Sequence, residues 1–160
     1  MNAPFELPAE ASAKLRLWRA VNAKIVFTNG VYDLLHRGHV EYLEEAHALG
    51  DRLVVGMNTD ASVRRLKGPS RPIVGQDDRA TIIRALSCVD LVILFDEDTP
   101  LRLIEAVQPD VLVKGADYAV ADIVGREVVE AKGGLVTTIA LREGLSSSEI
   151  VRRIREGRGV

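Results

Sequence analysis

The sequence is short of several residue types, and each shortage removes a class of protein. One cysteine among 160 residues cannot form an internal disulfide, which favours a reducing compartment. No apolar run approaches the length of a membrane span, and residues 1–10 lack the basic start and apolar core of a signal peptide. Basic residues number 21 against 23 acids, so nothing requires the basic face of a nucleic-acid-binding protein. We therefore expect a cytoplasmic protein that binds small molecules, and neither nucleic acid nor a membrane.

Short apolar runs alternate with helical patterns from residue 24 onward, and this alternation predicts an α/β fold. The runs are rich in Val, Ile and Leu, as parallel strands buried on both faces are. The predicted strands are 24–28, 52–57, 91–95, 110–113 and 135–140. The predicted helices are 11–23, 38–49, 76–87, 100–107 (with Thr99 as its N-cap), 125–132 and 146–154. We predict one domain, 24–160, with a Rossmann-like, doubly wound, five-stranded parallel sheet, after an N-terminal tail and short helix, 1–23.

The most informative motif, 28–39, follows the first predicted strand. Gly30 and Gly38 permit close approach of a ligand to the backbone, and His36 and His39 share one face of the helix that begins there. Free N–H groups at a helix start favour phosphate oxygens, and two imidazoles can donate hydrogen bonds to a transferring phosphoryl group. The alternative is a pair of histidines that cap or pack, whereas zinc is disfavoured because no third ligand is evident. We interpret this turn as a site of nucleotidyl transfer.

A second cluster is basic and occupies the stretch 64–71, which we interpret as a loop. Lys67 and Arg71 within it can clamp phosphates, or the whole stretch can be a solvated surface. Arg79 lies inside a predicted helix and either reaches the same site or pairs with an acid such as Asp78.

The remaining candidates lie where the first, fourth and fifth predicted strands end, which is the edge where such sheets bind ligands. Asp33 either holds a metal ion or orients neighbouring backbone groups. The stretch 113–118 contains Lys-Gly-Ala-Asp-Tyr, which suits a hydroxylated substrate or makes a tight turn. The stretch 142–148 ends in three serines, which bind phosphate or cap the last helix.

Together these motifs resemble the nucleotidylyltransferase superfamily with the His-x-Gly-His motif, and within it the cytidylyltransferase-like branch. Residues 30–39 match the Gly-x-Phe-Asp-x-x-His-x-Gly-His start of that branch. Residues 142–148 match its Arg-x-Glu-Gly-x-Ser-[ST]-[ST] end, with one residue fewer between Arg and Glu. The stretches 28–30, 65–72 and 112–118 are similar to the Thr-Asn-Gly, Arg-Leu-Lys-Gly-x-x-Arg-Pro and Leu-Val-Lys-Gly-x-Asp-Tyr motifs of heptose 1-phosphate adenylyltransferases.

The resemblance implies a nucleotidylyltransferase fold and transfer of AMP from ATP to D-glycero-β-D-manno-heptose 1-phosphate, with Mg²⁺ on the triphosphate. The products would be pyrophosphate and ADP-heptose, used for bacterial surface polysaccharide such as lipopolysaccharide. His36, His39 and Lys67 would be catalytic. The implied nucleotide contacts are Thr28, Asn29, Gly30, Val31, Tyr32, Asp33, Gly38, Lys114, Gly115, Asp117, Tyr118, Arg142, Ser146, Ser147 and Ser148. The implied acceptor contacts are Asp33, Asn58, Lys67, Arg71 and Arg79. The resemblance also implies a homodimer. Many relatives carry a sugar kinase fused to this domain, and since 160 residues do not accommodate one, we expect a separate heptose kinase to supply the acceptor. We expect no metal site built from protein ligands.

Two departures from the family pattern leave room for another substrate. Val31 and Tyr32 stand where the family has Cys-Phe, and Ser147 and Ser148 stand where it has threonines. One alternative is a cytidylyltransferase that uses CTP and glycerol 3-phosphate or another polyol phosphate, although 114–118 favours the heptose branch. A non-catalytic nucleotide-binding regulator is disfavoured by the intact histidine pair. A hydride-transferring enzyme is disfavoured because no Gly-x-Gly-x-x-Gly follows the first strand.

Overall fold

A computed structural model describes residues 4–142 and 144–159, so Glu143 of the 142–148 motif lies outside the described residues. Its centre is a five-stranded, all-parallel sheet in the order β3-β2-β1-β4-β5. The strands are β1 (Ile25–Gly30), β2 (Arg52–Asn58), β3 (Leu91–Phe95), β4 (Val111–Gly115) and β5 (Leu135–Ile139). The predicted α/β fold is confirmed, and each strand lies within two residues of its predicted bounds.

Helices cover both faces of this sheet. They are α1 (Ala9–Ala20), α2 (Arg37–His47), α3 (Asp60–Lys67), α4 (Gln76–Arg84), α5 (Leu101–Val107), α6 (Arg126–Glu130) and α7 (Ser147–Arg155), with a 3₁₀ turn at Val120–Asp122. None of the helices in the described part of the chain combines the length and apolar character that a bilayer crossing requires.

Two predictions about these helices were wrong. Residues 64–67 do not belong to a loop, because they form the last turns of α3, whose N-cap Thr59 accepts a hydrogen bond from the Ser62 N–H at 3.2 Å. Thr99 does not cap α5, because Pro100 occupies the N-cap position itself. The apolar pattern of α3 is short and its last turn is basic, so the cap was the only strong signal of a helix.

The core consists of two clusters, one on each face of the sheet. Phe27 and Val54 point to the face covered by α1 and α5, while Val26 and Val55 point to the face covered by α2 and α4. This alternation follows from the two-residue period of a strand, and all four side chains are fully buried. The predicted N-terminal tail is partly a core element, since Phe5 packs against the first cluster.

The strand order places a crevice where β1 and β4 lie side by side. From β1 the chain proceeds through β2 to β3 on one side of the sheet, and then crosses to β4 and β5 on the other. Parallel sheets of this kind bind ligands beyond the carboxyl ends of the strands at such a reversal. The motifs 28–39 and 113–118 both leave the sheet at this point.

Candidate functional site

The loop between β1 and α2, residues 31–36, has an unusual backbone that the surrounding structure holds in place. Tyr32 and Leu34 have φ values of 52° and 53°, a left-handed conformation that side-chain-bearing residues adopt at a cost of about 1–3 kcal/mol each. The buried Tyr32 ring packs closely on Gly30, where a Cβ would stand 3.1 Å from the ring and so inside the usual contact distance. The Ser147 hydroxyl, at the start of α7, donates to the carbonyls of Asp33 and Leu34. The loop is therefore preformed.

His36 and His39 lie together at the start of α2. Their rings stack with centroids 3.9 Å apart and planes inclined by 27°. Gly38 lies against the His36 ring, since a Cβ at that position would come within 3.1 Å of it. The backbone N–H of His36 donates to Nδ1 of His39 at 3.2 Å. An acceptor nitrogen carries no proton, so neutral His39 holds its proton on Nε2 and can donate it to a ligand.

The surroundings keep both imidazoles neutral. Burial, followed by the charges of His36 and Lys67, lowers the pKa of His39 to about 4. Burial also lowers the pKa of His36, whose Nδ1 atom has no hydrogen-bond partner within the described residues. At neutral pH the pair thus offers uncharged N–H donors beside the N–H groups of the helix start, which suits oxygen atoms that gain negative charge during a reaction.

We expect His39 to make folding stability depend on pH between about 6.5 and 4. In the unfolded chain an imidazole with its ordinary pKa of 6.5 takes up a proton throughout this window, whereas folded His39 does not until pH about 4. The unfolded state then binds more protons, so the free energy of unfolding falls as the pH falls through the window and is unaffected above it. Urea denaturation at pH 7.5 and 5 should show a smaller loss for His39→Asn than for the unsubstituted protein. Equal losses would contradict the shifted pKa of His39.

The end of α3 and the loop that follows add positive charge to this site. Lys67 is in the last turn of α3, and its charge acts on His39. Arg71 lies in the following loop, where its Nε donates to Asp33 Oδ2 at 2.8 Å. The structure thus brings Lys67 and Arg71 to the loop that carries the histidine pair.

The exit of β4 forms the other wall of the crevice. Burial lowers the pKa of Lys114 to about 8, against the opposing effect of Asp117. The Lys114 ammonium stands 5.0 Å from the centre of the Tyr118 ring, within cation–π range. Gly115 allows this close turn, because a Cβ there would stand 2.6 Å from a carboxylate oxygen of Asp117. The ammonium and the half-exposed Tyr118 ring are therefore held together beside β1.

Comparison with models of protein families shows to which family this chain belongs. The family model described as cytidylyltransferase-like matches residues 27–153, which include both walls of the crevice. The chain belongs to the cytidylyltransferase-like family.

Two relatives, both named bifunctional protein HldE, are similar in sequence to most of this chain. The bifunctional protein HldE of Citrifermentans bemidjiense is 60% identical over 131 residues, 82% of this chain and 27% of the relative. The protein of the same name from Geotalea uraniireducens is 58% identical over 134 residues, 84% of this chain and 27% of the relative. The chain thus spans less than a third of the length of these curated relatives.

A solved structure shares the fold. The crystal structure described as the lipopolysaccharide core biosynthesis protein from Thermoplasma volcanium GSS1 has a TM-score of 0.60 and 32% identity, and the match covers 75% of this chain and 97% of that one.

The closing motif of the cytidylyltransferase-like family packs against the opening one. Arg142 donates from Nη1 to both carboxylate oxygens of Glu41 on α2, at 2.7 and 2.8 Å. Ser146 caps α7 by accepting from the Glu149 N–H at 3.1 Å, and Ser148 is exposed in the first turn of that helix. Capping therefore accounts for one serine of the three, while Ser147 braces the loop 31–36 as described above.

Sequence reasoning did not single out two residues that contact the candidate site, Glu41 and Tyr42. Tyr42 shares a 2.8 Å hydrogen bond with the buried Thr28 hydroxyl, and burial raises the pKa of Tyr42 to about 12. Both residues belong to the 220 Å³ cavity between α2 and the end of β5, which is lined by Gly38, Glu41, Tyr42, Glu45, Ala140, Leu141 and Arg142. The signal was present in the sequence, because Tyr42 follows His39 at the three-residue spacing that shares a helix face.

Two of the predicted acceptor contacts lie inside the protein instead of facing the crevice. Asn58 is buried and its side-chain amide donates to the Ser62 hydroxyl at 3.0 Å. Arg79 is 1% exposed and pairs with Asp60 at 2.7 Å, so of the two alternatives the structure shows pairing with an acid, although the acid is Asp60 and not Asp78. This placement suits a role in holding the site together and gives neither side chain a direct path to a ligand.

A larger cavity, of about 820 Å³, lies beyond the carboxyl end of β3. Its lining includes Thr59, Arg65 and Asp96, but neither histidine nor any residue of the β4 exit. The Arg65 guanidinium is tied to Asp96 and Asp98. Neither histidine lines the smaller cavity either, but that cavity includes Gly38 of the motif 28–39 and Arg142 of the stretch 142–148, so it adjoins the candidate site and the larger one does not.

Proposed function

We propose that this chain is an adenylyltransferase that transfers AMP from ATP to D-glycero-β-D-manno-heptose 1-phosphate. The observation that carries the proposal is the stacked, neutral histidine pair at the start of α2, because nucleotidyl transfer requires N–H donors beside bound phosphates. Support for the substrate comes from the heptose-branch motifs at 65–72 and 112–118, from the relatives named HldE, and from a fold shared with a protein of lipopolysaccharide core biosynthesis.

In the proposed reaction an oxygen of the sugar phosphate attacks the α-phosphorus of ATP in line. One P–O bond forms there, the P–O bond to the β-phosphate breaks, and pyrophosphate leaves with the electron pair. The acceptor phosphate is already an anion, so no general base is needed. The protein then contributes position and charge stabilisation.

Each named side chain has a part in that scheme. His39 donates from Nε2, and with His36 it stabilises the charge on the α-phosphoryl group and the leaving pyrophosphate. Lys67 neutralises phosphate oxygens from the end of α3, and Lys114 does so from the opposite wall. Arg142 exchanges its contact with Glu41 for the nucleotide.

Mg²⁺, when bound, neutralises charge on the triphosphate and supports its orientation. Within the described residues no group of three or more acids, histidines or cysteines could hold a metal ion. A metal held by substrate phosphates and water, as Mg²⁺ commonly is, fits these residues.

The proposed reaction depends on another enzyme for its acceptor. The acceptor carries a phosphate on its anomeric carbon, so a kinase must act before this enzyme, and we propose that a separate heptose kinase does so. We also propose that residues 24–160 act as one catalytic domain of a cytoplasmic homodimer.

The test is pyrophosphate release by the purified protein with Mg²⁺. ATP, CTP, GTP and UTP are crossed with the α and β anomers of heptose 1-phosphate and with glycerol 3-phosphate. Release only with ATP and the β anomer is the expected result. Release with CTP and glycerol 3-phosphate would replace the proposal by the cytidylyltransferase, and ATP binding without release from any pair would favour a non-catalytic regulator.

A further inference from the structure

Asp33 is a buried acid of the candidate site, whereas Glu41 is partly exposed. The Asp33 side chain is 2% exposed and accepts three hydrogen bonds from one short segment, residues 71–74. Oδ2 accepts from Arg71 Nε and from the Ile73 N–H, both at 2.8 Å, and Oδ1 accepts from the Val74 N–H at 2.9 Å. All three donors are thus supplied by a segment 38 to 41 residues away in the chain.

This bonding leaves the carboxylate charged and uses three of its roughly four acceptor positions. Burial raises the pKa of Asp33, but the N–H groups of Ile73 and Val74 and the Arg71 guanidinium outweigh it and hold that pKa below its ordinary value. Both oxygens already accept from protein donors. Of the two roles that the sequence left open for Asp33, the geometry favours the orientation of neighbouring groups.

A second buried side chain holds the same segment from the other end. Arg79 donates from Nε to the Val74 carbonyl at 2.9 Å and from Nη1 to the Val31 carbonyl. Segment 71–74 is therefore tied to the loop 31–36 both by the Asp33 side chain and through Arg79.

The bonding also determines which part of Arg71 can meet a ligand. Its Nε is used by Asp33 and its side chain is only 12% exposed, so the guanidinium is fixed in one plane. Its two terminal nitrogens have no protein partner within residues 4–142 and 144–159. An arginine held in this way presents a fixed pair of N–H donors, which matches two oxygens of one phosphate group.

We infer that Asp33 is a positioning residue for acceptor recognition: it holds segment 71–74 so that Arg71 presents its terminal N–H groups to the phosphate of the acceptor. This inference rests on the proposed function for the identity of the acceptor. Because Asp33 acts through Arg71 and not on the nucleotide, the affinity for ATP does not depend on it.

Steady-state kinetics of three single variants and one double variant test the part of the inference that concerns acceptor recognition, the acceptor half. Arg71→Ala should raise the KM for heptose 1-phosphate about 10- to 100-fold, the range of a hydrogen bond to a charged group, and leave the KM for ATP within about twofold. Arg71→Lys should behave like Arg71→Ala, because a single ammonium cannot hold Asp33 and the phosphate together. Asp33→Asn should raise the same KM, and the double variant Asp33→Asn/Arg71→Ala should fall well short of the product of the single effects. Matched controls are Arg84→Ala and Asp78→Asn, which change exposed residues of α4.

Hydrogen exchange tests, without any substrate, whether Asp33 anchors segment 71–74, which is the anchoring half of the inference. The amides of Ile73 and Val74 should exchange at least about tenfold faster in Asp33→Asn than in the unsubstituted protein, because their acceptor is weakened. If Asp33→Asn does not fold, Arg71→Lys still carries the kinetic test, since it keeps both backbone bonds to Asp33.

Two results would overturn the inference. One is a raised KM for ATP or a changed Mg²⁺ requirement in these variants with the KM for the acceptor unchanged. The other is unchanged exchange at residues 73 and 74. An unsubstituted protein that never uses heptose 1-phosphate would instead overturn the proposed function and the acceptor half with it, while the exchange data alone would decide the anchoring half.

Discussion

Replacing His39 by alanine should lower kcat by about 10²- to 10³-fold, the loss that follows removal of one preorganised donor to a developing anion. The reason is the hydrogen bond from the His36 N–H to Nδ1, which leaves the proton of neutral His39 on Nε2, free for a phosphate oxygen. Pyrophosphate release under saturating ATP and acceptor measures the effect. Circular dichroism and thermal denaturation show that the fold is retained.

Two further substitutions at position 39 separate the effect of the Nε2 donor from the effect of the hydrogen bond that Nδ1 accepts at the start of α2. Asparagine at position 39 can still accept from the His36 N–H but places no donor where Nε2 stood, so His39→Asn should be about as inactive as His39→Ala. Glutamine can reach the Nε2 position with its amide N–H, so His39→Gln should retain more activity than either. Equal activity of all three variants would show that the donor at Nε2 is not what matters.

His47 provides a control on the same helix. It lies at the far end of α2, where Nε2 is 3.5 Å from Asp90 and away from the crevice. His47→Ala should leave kcat within about twofold of the unsubstituted protein. A loss as large as that of His39→Ala would mean that helix stability, and not donation to phosphate, explains the phenotype.

Replacing Arg79 by methionine should lower the free energy of unfolding by about 3–5 kcal/mol, because three backbone carbonyls and the partly exposed Asp60 carboxylate lose their donor. Its guanidinium, 1% exposed, donates to the carbonyls of Val31, Asn58 and Val74 and to the Asp60 carboxylate. Methionine fills much of the volume but leaves these acceptors without a donor inside the protein. Urea denaturation monitored by circular dichroism measures the change.

Arg84→Met is the matched control for this substitution. Arg84 is in the last turn of the same helix, α4, and is exposed, so its replacement should change the free energy of unfolding by no more than about 0.5 kcal/mol. A loss below about 1 kcal/mol for Arg79→Met would contradict the bracing role of the guanidinium. Arg79→Lys should fall between the two, because an ammonium cannot reach carbonyls in three directions.

Much of the architecture follows from local pattern. The apolar runs that end near Thr28 and Val113 predict β1 and β4, and their alternation with helical segments predicts a sheet whose ligand edge carries the motifs that follow those strands. The three-residue spacing of His36 and His39 predicts that they share a helix face, and their rings stack in the structure. The prediction of a loop was wrong for residues 64–67, because in sequence a short helix with a basic last turn resembles a solvated loop.

The sequence by itself therefore determined the order of the strands along the chain, every described α-helix except α3, the place of the histidine pair and the family to which the motifs belong. Neighbouring residues set such features through propensity, period and caps. Only the tertiary structure decided that Arg79 is internal, that Asp33 binds segment 71–74, and that Glu41 holds Arg142. The partners in these contacts are 48, 38 and 101 residues apart, and long-range packing, which leaves no periodic trace in the chain, brings them together.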